Sequence, residues 1–172
     1  MSKSRRLSAA LTMGLVGLGL ASVATASTYP ARFFPGAYFV PRLPDTGSCF
    51  ERHFGQLRNV CTTGQMVVAS WSPWEIAVHP GTGAPILSAP VDFDAWVNTS
   101  ASTRVDECEA LIVDRNGWAA SWTGRVATTA AGGQNLHIGR LQVSLLDEGV
   151  IVECTIGRGG SIGTIHTFAA VV

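Results

Sequence analysis

One short segment of this 172-residue chain has the residue types of a nucleophilic site. Gly159-Gly160-Ser161-Ile162-Gly163 fits the pattern G-x-S-x-G, in which a serine nucleophile lies on a sharp turn between a strand and a helix. Such a hydrolase needs an acid and a histidine later in the chain, yet only His166 follows, and no Asp or Glu does. The run from Ile162 to Val171 has the composition of a strand, so the pattern predicts a hairpin turn.

A second candidate is the carboxylate pair Asp92 and Asp94, which flanks Phe93. Residues two apart project from one face of a strand, as an acid–base pair or an oxygen-ligand calcium site requires. A solvated face also explains the pair and is the interpretation we adopt. The four His residues stand singly and no two Cys residues have C-x₂₋₄-C spacing, so the sequence predicts no metal and no cofactor.

The five tryptophans are the third group of candidate site residues, because an exposed indole can stack on a ring such as that of a sugar. Trp71-Ser72-Pro73-Trp74 places two indoles in a turn that contains proline, where burial is least assured. We therefore predict Trp71 and Trp74 as binding residues. Trp96, Trp118 and Trp122 lie in strand-like runs, and we expect them to pack in the core.

The first 26 residues have the pattern of a signal peptide. Lys3, Arg5 and Arg6 precede an apolar run from residue 11 to residue 23, and Ala24-Thr25-Ala26 fits an A-x-A cleavage site. The run is shorter than the roughly 20 residues that span a bilayer. We expect the mature chain to begin at Ser27, to contain no transmembrane segment, and to act in the periplasm or outside the cell.

The four cysteines are Cys49, Cys61, Cys108 and Cys154, and an even number in an exported protein predicts two disulfides. Three pairings are possible. We predict Cys49–Cys61, because these two flank a short segment, and Cys108–Cys154, because both lie on the apolar phase of strand-like runs.

The segments that contain these residues have the pattern of strands throughout. Cys108, Ala110 and Ile112 alternate with polar residues, as do the apolar residues from Val150 to Ile156, and Asp106 shares the inward phase. Turn signals such as Asn116-Gly117 separate the runs. We predict an all-β, two-sheet antiparallel β-sandwich of the jelly-roll type.

An immunoglobulin-like sandwich is the alternative fold, because Cys108, Trp122 and Cys154 follow the Cys…Trp…Cys order of that fold. The tyrosine corner is absent, since Val152 stands two positions before Cys154. In either fold, residues 47–172 form one domain. Residues 27–46 are rich in proline and aromatic residues and should lie extended over its surface.

The net charge of the mature chain limits the classes of partner that it can bind. The full chain has 12 basic and 12 acidic side chains, and removal of three basic residues with the signal peptide leaves 9 − 12, about −3. Nucleic acids attract clustered Lys and Arg, and the mature chain has no Lys at all. We therefore expect no nucleic-acid partner, and a glycan or a cell-envelope component as the candidate ligand.

Four segments carry a resemblance. Gly55-Gln56-Leu57-Arg58-Asn59-Val60, Gln65-Met66-Val67-Val68, Val152-Glu153-Cys154-Thr155-Ile156 and Ser161-Ile162-Gly163 resemble small secreted bacterial β-sandwich proteins of unassigned function. The resemblance implies a fold and an exported location, and it implies no activity. We expect a non-enzymatic extracellular or cell-envelope module that serves binding or structure. The alternative is a secreted hydrolase with dispersed catalytic carboxylates.

Overall fold

The computed structural model describes residues 27–76, 79, 82–100, 106–147 and 149–171, so the predicted signal peptide lies outside the described residues. These residues form strands and three short 3₁₀ helices, with no α-helix among them. The strands are β1 (Ser27–Pro35), β2 (Val40–Pro41), β3 (Phe50–His53), β4 (Gln56–Asn59), β5 (Gln65–Trp71), β6 (Ser88–Thr99), β7 (Glu107–Val113), β8 (Ala119–Trp122), β9 (Val126–Ala127), β10 (Gly132–Ser144), β11 (Gly149–Ile156) and β12 (Ser161–Val171). The 3₁₀ helices are Gly36–Tyr38, Pro44–Cys49 and Pro73–Glu75.

The strands form two antiparallel sheets. The first, which we call the long-strand sheet, has the order β10-β6-β12-β4-β3, with β1 also paired to β12. The second, the disulfide sheet, has the order β2-β5-β11-β7-β8, with β9 also paired to β7. The chain passes between the sheets many times, and of the strands described only β3–β4 and β7–β8–β9 are consecutive within one sheet. This arrangement is a two-sheet antiparallel β-sandwich and confirms the predicted fold class.

The core lies between the inner faces of the two sheets. Along β6 every second residue is buried, and Val91, Phe93, Ala95 and Val97 are fully covered. Alternating residues of β5, β7 and β11 meet them from the disulfide sheet. Strand alternation therefore decides which side chains of β6 are left on the outer face.

The immunoglobulin-like alternative is wrong. Cys108 and Cys154 stand directly opposite each other on the neighbouring strands β7 and β11, so their bridge lies within one sheet. In the immunoglobulin fold the bridge joins the two sheets and a tryptophan packs against it. Here Trp122 is on β8 and exposed.

The N-terminal segment takes part in the sheets. Its first part is β1, which pairs with β12 from Ser27 to Pro35. Proline is tolerated because β1 is an edge strand, and the register shifts between Pro30 and Arg32. Further along, the predicted Cys49–Cys61 bridge encloses the β3–β4 hairpin.

Candidate functional site

The outer face of the long-strand sheet carries a half-exposed tryptophan. Trp96 is on β6, between the buried residues Ala95 and Val97, so strand alternation directs its indole outward. The side chain is 44% exposed. In the sheet, Trp96 stands opposite Asn135 of β10 on one side and Thr164 of β12 on the other.

Two glycines, one on each neighbouring strand, make room for this indole. A β-carbon at Gly133 would lie 2.5 Å from Cζ2 of Trp96, and one at Gly163 would lie 2.8 Å from Cδ1. Carbon atoms in van der Waals contact are about 3.5–4.0 Å apart, so any side chain at either position would displace the ring. The indole therefore reaches across both neighbouring strands in contact with their backbone.

A hydrogen-bonded polar group lies beside the indole. Asp94 Oδ1 is 2.7 Å from Nδ1 of His137, and Asn135 donates from Nδ2 to Asp94 Oδ2 at 3.3 Å. Asp94 and His137 are directly opposite each other, and Asn135 is the cross-strand partner of Trp96. One carboxylate thus orients two polar side chains, Asn135 in the row of the indole and His137 in the next row.

The next row holds a bidentate ion pair. Arg140 donates to Asp92 from Nε at 2.8 Å and from Nη2 at 2.6 Å. The carboxylate raises the pKa of the Arg140 guanidinium, first through the hydrogen bond and then through its charge. Asp92 and Asp94 do project from one face of a strand, and each has its own partner on β10. The two carboxylates of the predicted solvated pair thus make separate contacts with β10.

The row that contains His137 and Asp94 continues through β12 to β1 at the edge of the sheet. His166 of β12 pairs with Asp94 on one side and with Phe33 of β1 on the other. The rings of Phe33 and His166 lie 4.9 Å apart, and Phe33 is 60% exposed. The face therefore has an aromatic group at two places with polar groups between them, which suits a ligand that has apolar ring faces and hydroxyl groups.

Trp71, a predicted binding residue, is nearly buried. It is 7% exposed and packs against Phe34, with ring centroids 4.3 Å apart. Its remaining surface lines an open groove of about 490 Å³ between β1 and β5, together with Tyr38 and Glu75. Trp74 lies on the 3₁₀ helix that follows and is 53% exposed. A binding role for Trp71 and Trp74 stays a prediction.

The expectation that Trp96, Trp118 and Trp122 pack in the core is wrong. Trp122 and all other residues of β8 are exposed, because β8 is a short strand at the edge of the disulfide sheet. Trp118 precedes β8 in the turn after β7 and is 74% exposed. Aromatic residues favour strands whichever side they face, so composition alone did not distinguish these positions from core positions.

The G-x-S-x-G segment is a turn followed by a strand, as predicted. Ser161 is buried at the start of β12, and its hydroxyl donates to Gln56 Oε1 at 3.1 Å. The preceding turn is held by buried Asp106, which accepts from Gly157 N at 2.5 Å and from Thr99 Oγ1 at 2.7 Å. The two carboxylate oxygens of Asp106 are thus used in joining the ends of β6 and β11.

Both disulfides join the predicted pairs, Cys49–Cys61 and Cys108–Cys154. In the part of the chain that the structure describes, no three His, Cys, Asp or Glu side chains are grouped so as to hold a metal ion. No helix among those residues has the length and apolarity to cross a membrane.

Part of this face was recognisable in the sequence. Asp92, Asp94 and Trp96 are two residues apart in turn, so any strand that exposes the carboxylates also exposes the indole. Gly133 and Gly163 inside strand-like runs are also a sign of close backbone approach. That both glycines lie beside the same indole follows only from the register of three strands.

No protein-family model and no curated protein matches this chain. Among the solved structures to which it is similar is the enzymatically active domain of tailspike protein 4 of bacteriophage CBA120, with 12% identity and a TM-score of 0.35 over 68% of this chain and 14% of that one. Another is a GH26-CBM35 β-(1,4)-mannanase of Podospora anserina, with 11% identity and a TM-score of 0.44 over 85% of this chain and 28% of that one. The chain therefore spans less than a third of the length of either.

Proposed function

We propose that this protein is an exported, non-catalytic binding module that takes a glycan on the outer face of the long-strand sheet, with Trp96 as the stacking residue. One observation carries the proposal: a half-exposed indole is held across the sheet surface by Gly133 and Gly163. One side of a sugar ring presents several C–H groups, which pack on an aromatic ring, while the hydroxyl groups at its rim need polar partners. Asn135 and His137, both held by Asp94, supply such partners next to the indole.

Two further features support an exported binding protein. Two disulfides are typical of proteins in an oxidising compartment, outside the cytoplasm. The predicted signal peptide of residues 1–26 fits the same location. An exported module of this size is well placed to meet glycans of the cell envelope or of the surroundings.

The arrangement of the carboxylates favours binding over hydrolysis. A glycosidase needs one carboxyl group whose pKa is raised so that it can donate a proton. On this face, Asp92 is held by the Arg140 guanidinium and Asp94 by His137 and Asn135. Both carboxylates are therefore engaged by neighbouring side chains of β10 and are not directed at a ligand.

The test is retention of the purified protein on a panel of immobilised polysaccharides. We expect Trp96→Ala to lose retention on a polymer that holds the wild type. Trp122→Ala is the matched control, because Trp122 is an exposed indole on the other sheet, and it should bind as the wild type does. Both variants should melt within about 5 °C of the wild type, since neither indole is a core residue.

Three outcomes would contradict the proposal. Folded wild-type protein could be retained by no polymer, or Trp96→Ala could bind as well as the wild type. Release of reducing ends from a retained polymer would show catalysis and favour the hydrolase instead.

A further inference from the structure

Resting on the proposed function, we infer that the ligand is a neutral polysaccharide whose hydroxyl groups bind Asn135 and His137, and that Asp94 is the residue that positions both. Stacking on Trp96 does not by itself use the polar groups beside the indole.

Asp94 is placed to order its neighbours rather than to meet the ligand first. Its side chain is 18% exposed, whereas that of His137 is 64% exposed. One carboxylate oxygen contacts Nδ1 of His137 and the other accepts from Nδ2 of Asn135. This fixes the proton of a neutral His137 on Nδ1 and directs the amide nitrogen of Asn135 toward Asp94.

The remaining polar atoms of these two side chains match hydroxyl groups. With Nδ1 occupied, Nε2 of a neutral His137 is a hydrogen-bond acceptor, and with Nδ2 occupied, the amide oxygen of Asn135 is another. No hydrogen bond to another described residue uses either atom. A hydroxyl group donates to such acceptors, and two neighbouring hydroxyl groups of one sugar present donors side by side.

The charged side chains on this face favour a neutral glycan over an acidic one. The Asp92 carboxylate is paired with the Arg140 guanidinium, and the Asp94 carboxylate is in contact with His137 and Asn135. The Arg140 guanidinium is engaged by Asp92 through two hydrogen bonds, so it is not free to bind a carboxylate or sulfate of an acidic polymer. A uronic-acid polymer would have to break that bidentate pair and approach two carboxylates, which costs free energy.

The first arm of the test compares polymers of different charge. Affinity electrophoresis would use dextran, galactomannan and a mixed-linkage β-glucan as neutral probes, alginate as the anionic probe and chitosan as the cationic probe. We expect retention by a neutral polymer, with an affinity that is the same within about twofold at low and high salt because no ion pair forms. Preference for alginate or chitosan would overturn the inference and leave the proposed function standing. Absence of retention by every polymer would overturn both.

The second arm separates positioning from contact. Asn135→Ala and His137→Ala should each weaken binding by about three- to tenfold, as expected for the loss of one hydrogen bond. Asp94→Ala should weaken binding in the wild type and should have no further effect in the Asn135→Ala/His137→Ala double variant. A further loss in that background would show that Asp94 touches the ligand itself, and would overturn its positioning role.

Two controls keep this arm decisive. Gln142→Ala removes an exposed polar side chain from β10 that contacts Ser88, away from the indole, and should bind normally. Asp94→Asn keeps the size of the side chain and serves if Asp94→Ala does not fold. Its amide can accept from only one of the two neighbours, so it should give a smaller loss of the same kind. Wild-type affinity for both Asp94 variants would refute the inference.

Discussion

The glycine beneath the indole offers the sharpest test of how the binding face is built. A β-carbon at Gly133 would be 2.5 Å from Cζ2 of Trp96 and 3.2 and 3.3 Å from two further ring atoms. Since carbon atoms in contact need about 3.5–4.0 Å, Gly133→Ala must move the indole by roughly 1 Å or more. Trp96 is half exposed, so the ring can swing outward without disturbing the core.

The free energy of unfolding should change little in this variant. The backbone of Gly133 is not left-handed, so alanine is compatible with its conformation, and the substitution restricts the unfolded chain. That gain of about 0.4–1 kcal/mol opposes the loss of part of the contact between the indole and the sheet. We expect a net change within about 1 kcal/mol, together with a loss of glycan affinity close to that of Trp96→Ala.

The assay combines thermal unfolding, tryptophan fluorescence and retention on the polysaccharide that holds the wild type. Gly47→Ala is the matched control, because a β-carbon there would meet no atom within 4 Å. Normal retention by Gly133→Ala with unchanged fluorescence would refute the packing that we describe. A drop in melting temperature of more than about 10 °C would show instead that this packing supports the fold.

Two further predictions concern stability. Replacement of Cys108 and Cys154 by alanine should lower the free energy of unfolding by about 1 kcal/mol more than replacement of Cys49 and Cys61, because the bridged residues are 46 rather than 12 positions apart. Denaturant unfolding of both double variants measures the difference. An equal loss in the two variants would contradict the chain-entropy argument. Asp106→Ala should lower the free energy of unfolding by about 3 kcal/mol, because it leaves the buried donors on Gly157 and Thr99 without the carboxylate that accepts from them. Denaturant unfolding measures this loss as well. Wild-type stability of the variant would show that water replaces the carboxylate.

Local patterns in the sequence were sufficient for the fold class and for the covalent framework. The alternation of apolar and polar residues in β7 and β11 implied one buried face, and Cys108 and Cys154 share that face. The Asn116-Gly117 turn closes the β7–β8 connection, where Asp114 N donates to Trp118 O at 3.0 Å. These features depend on residues close in sequence or on strand period, and both are visible without a structure.

Exposure of the tryptophans could not be predicted in this way. Trp71 and Trp74 were singled out because they flank a proline turn, yet Trp71 packs against Phe34 of β1. Trp122 was expected in the core, yet β8 lies at the edge of its sheet. Burial depends on which strands are neighbours, and strand order is a property of the whole chain.

Because the side-chain period of a strand is two residues, the sequence alone places Asp92, Asp94 and Trp96 on one side of a strand. Which residues stand beside them depends on the tertiary structure. The pairing of β10 and β12 with β6 brings Gly133 and Gly163 against the indole, and the same register brings the polar partners of the carboxylates within hydrogen-bond distance. These residues are far apart along the chain, and register between distant strands is set by the packing of the complete core.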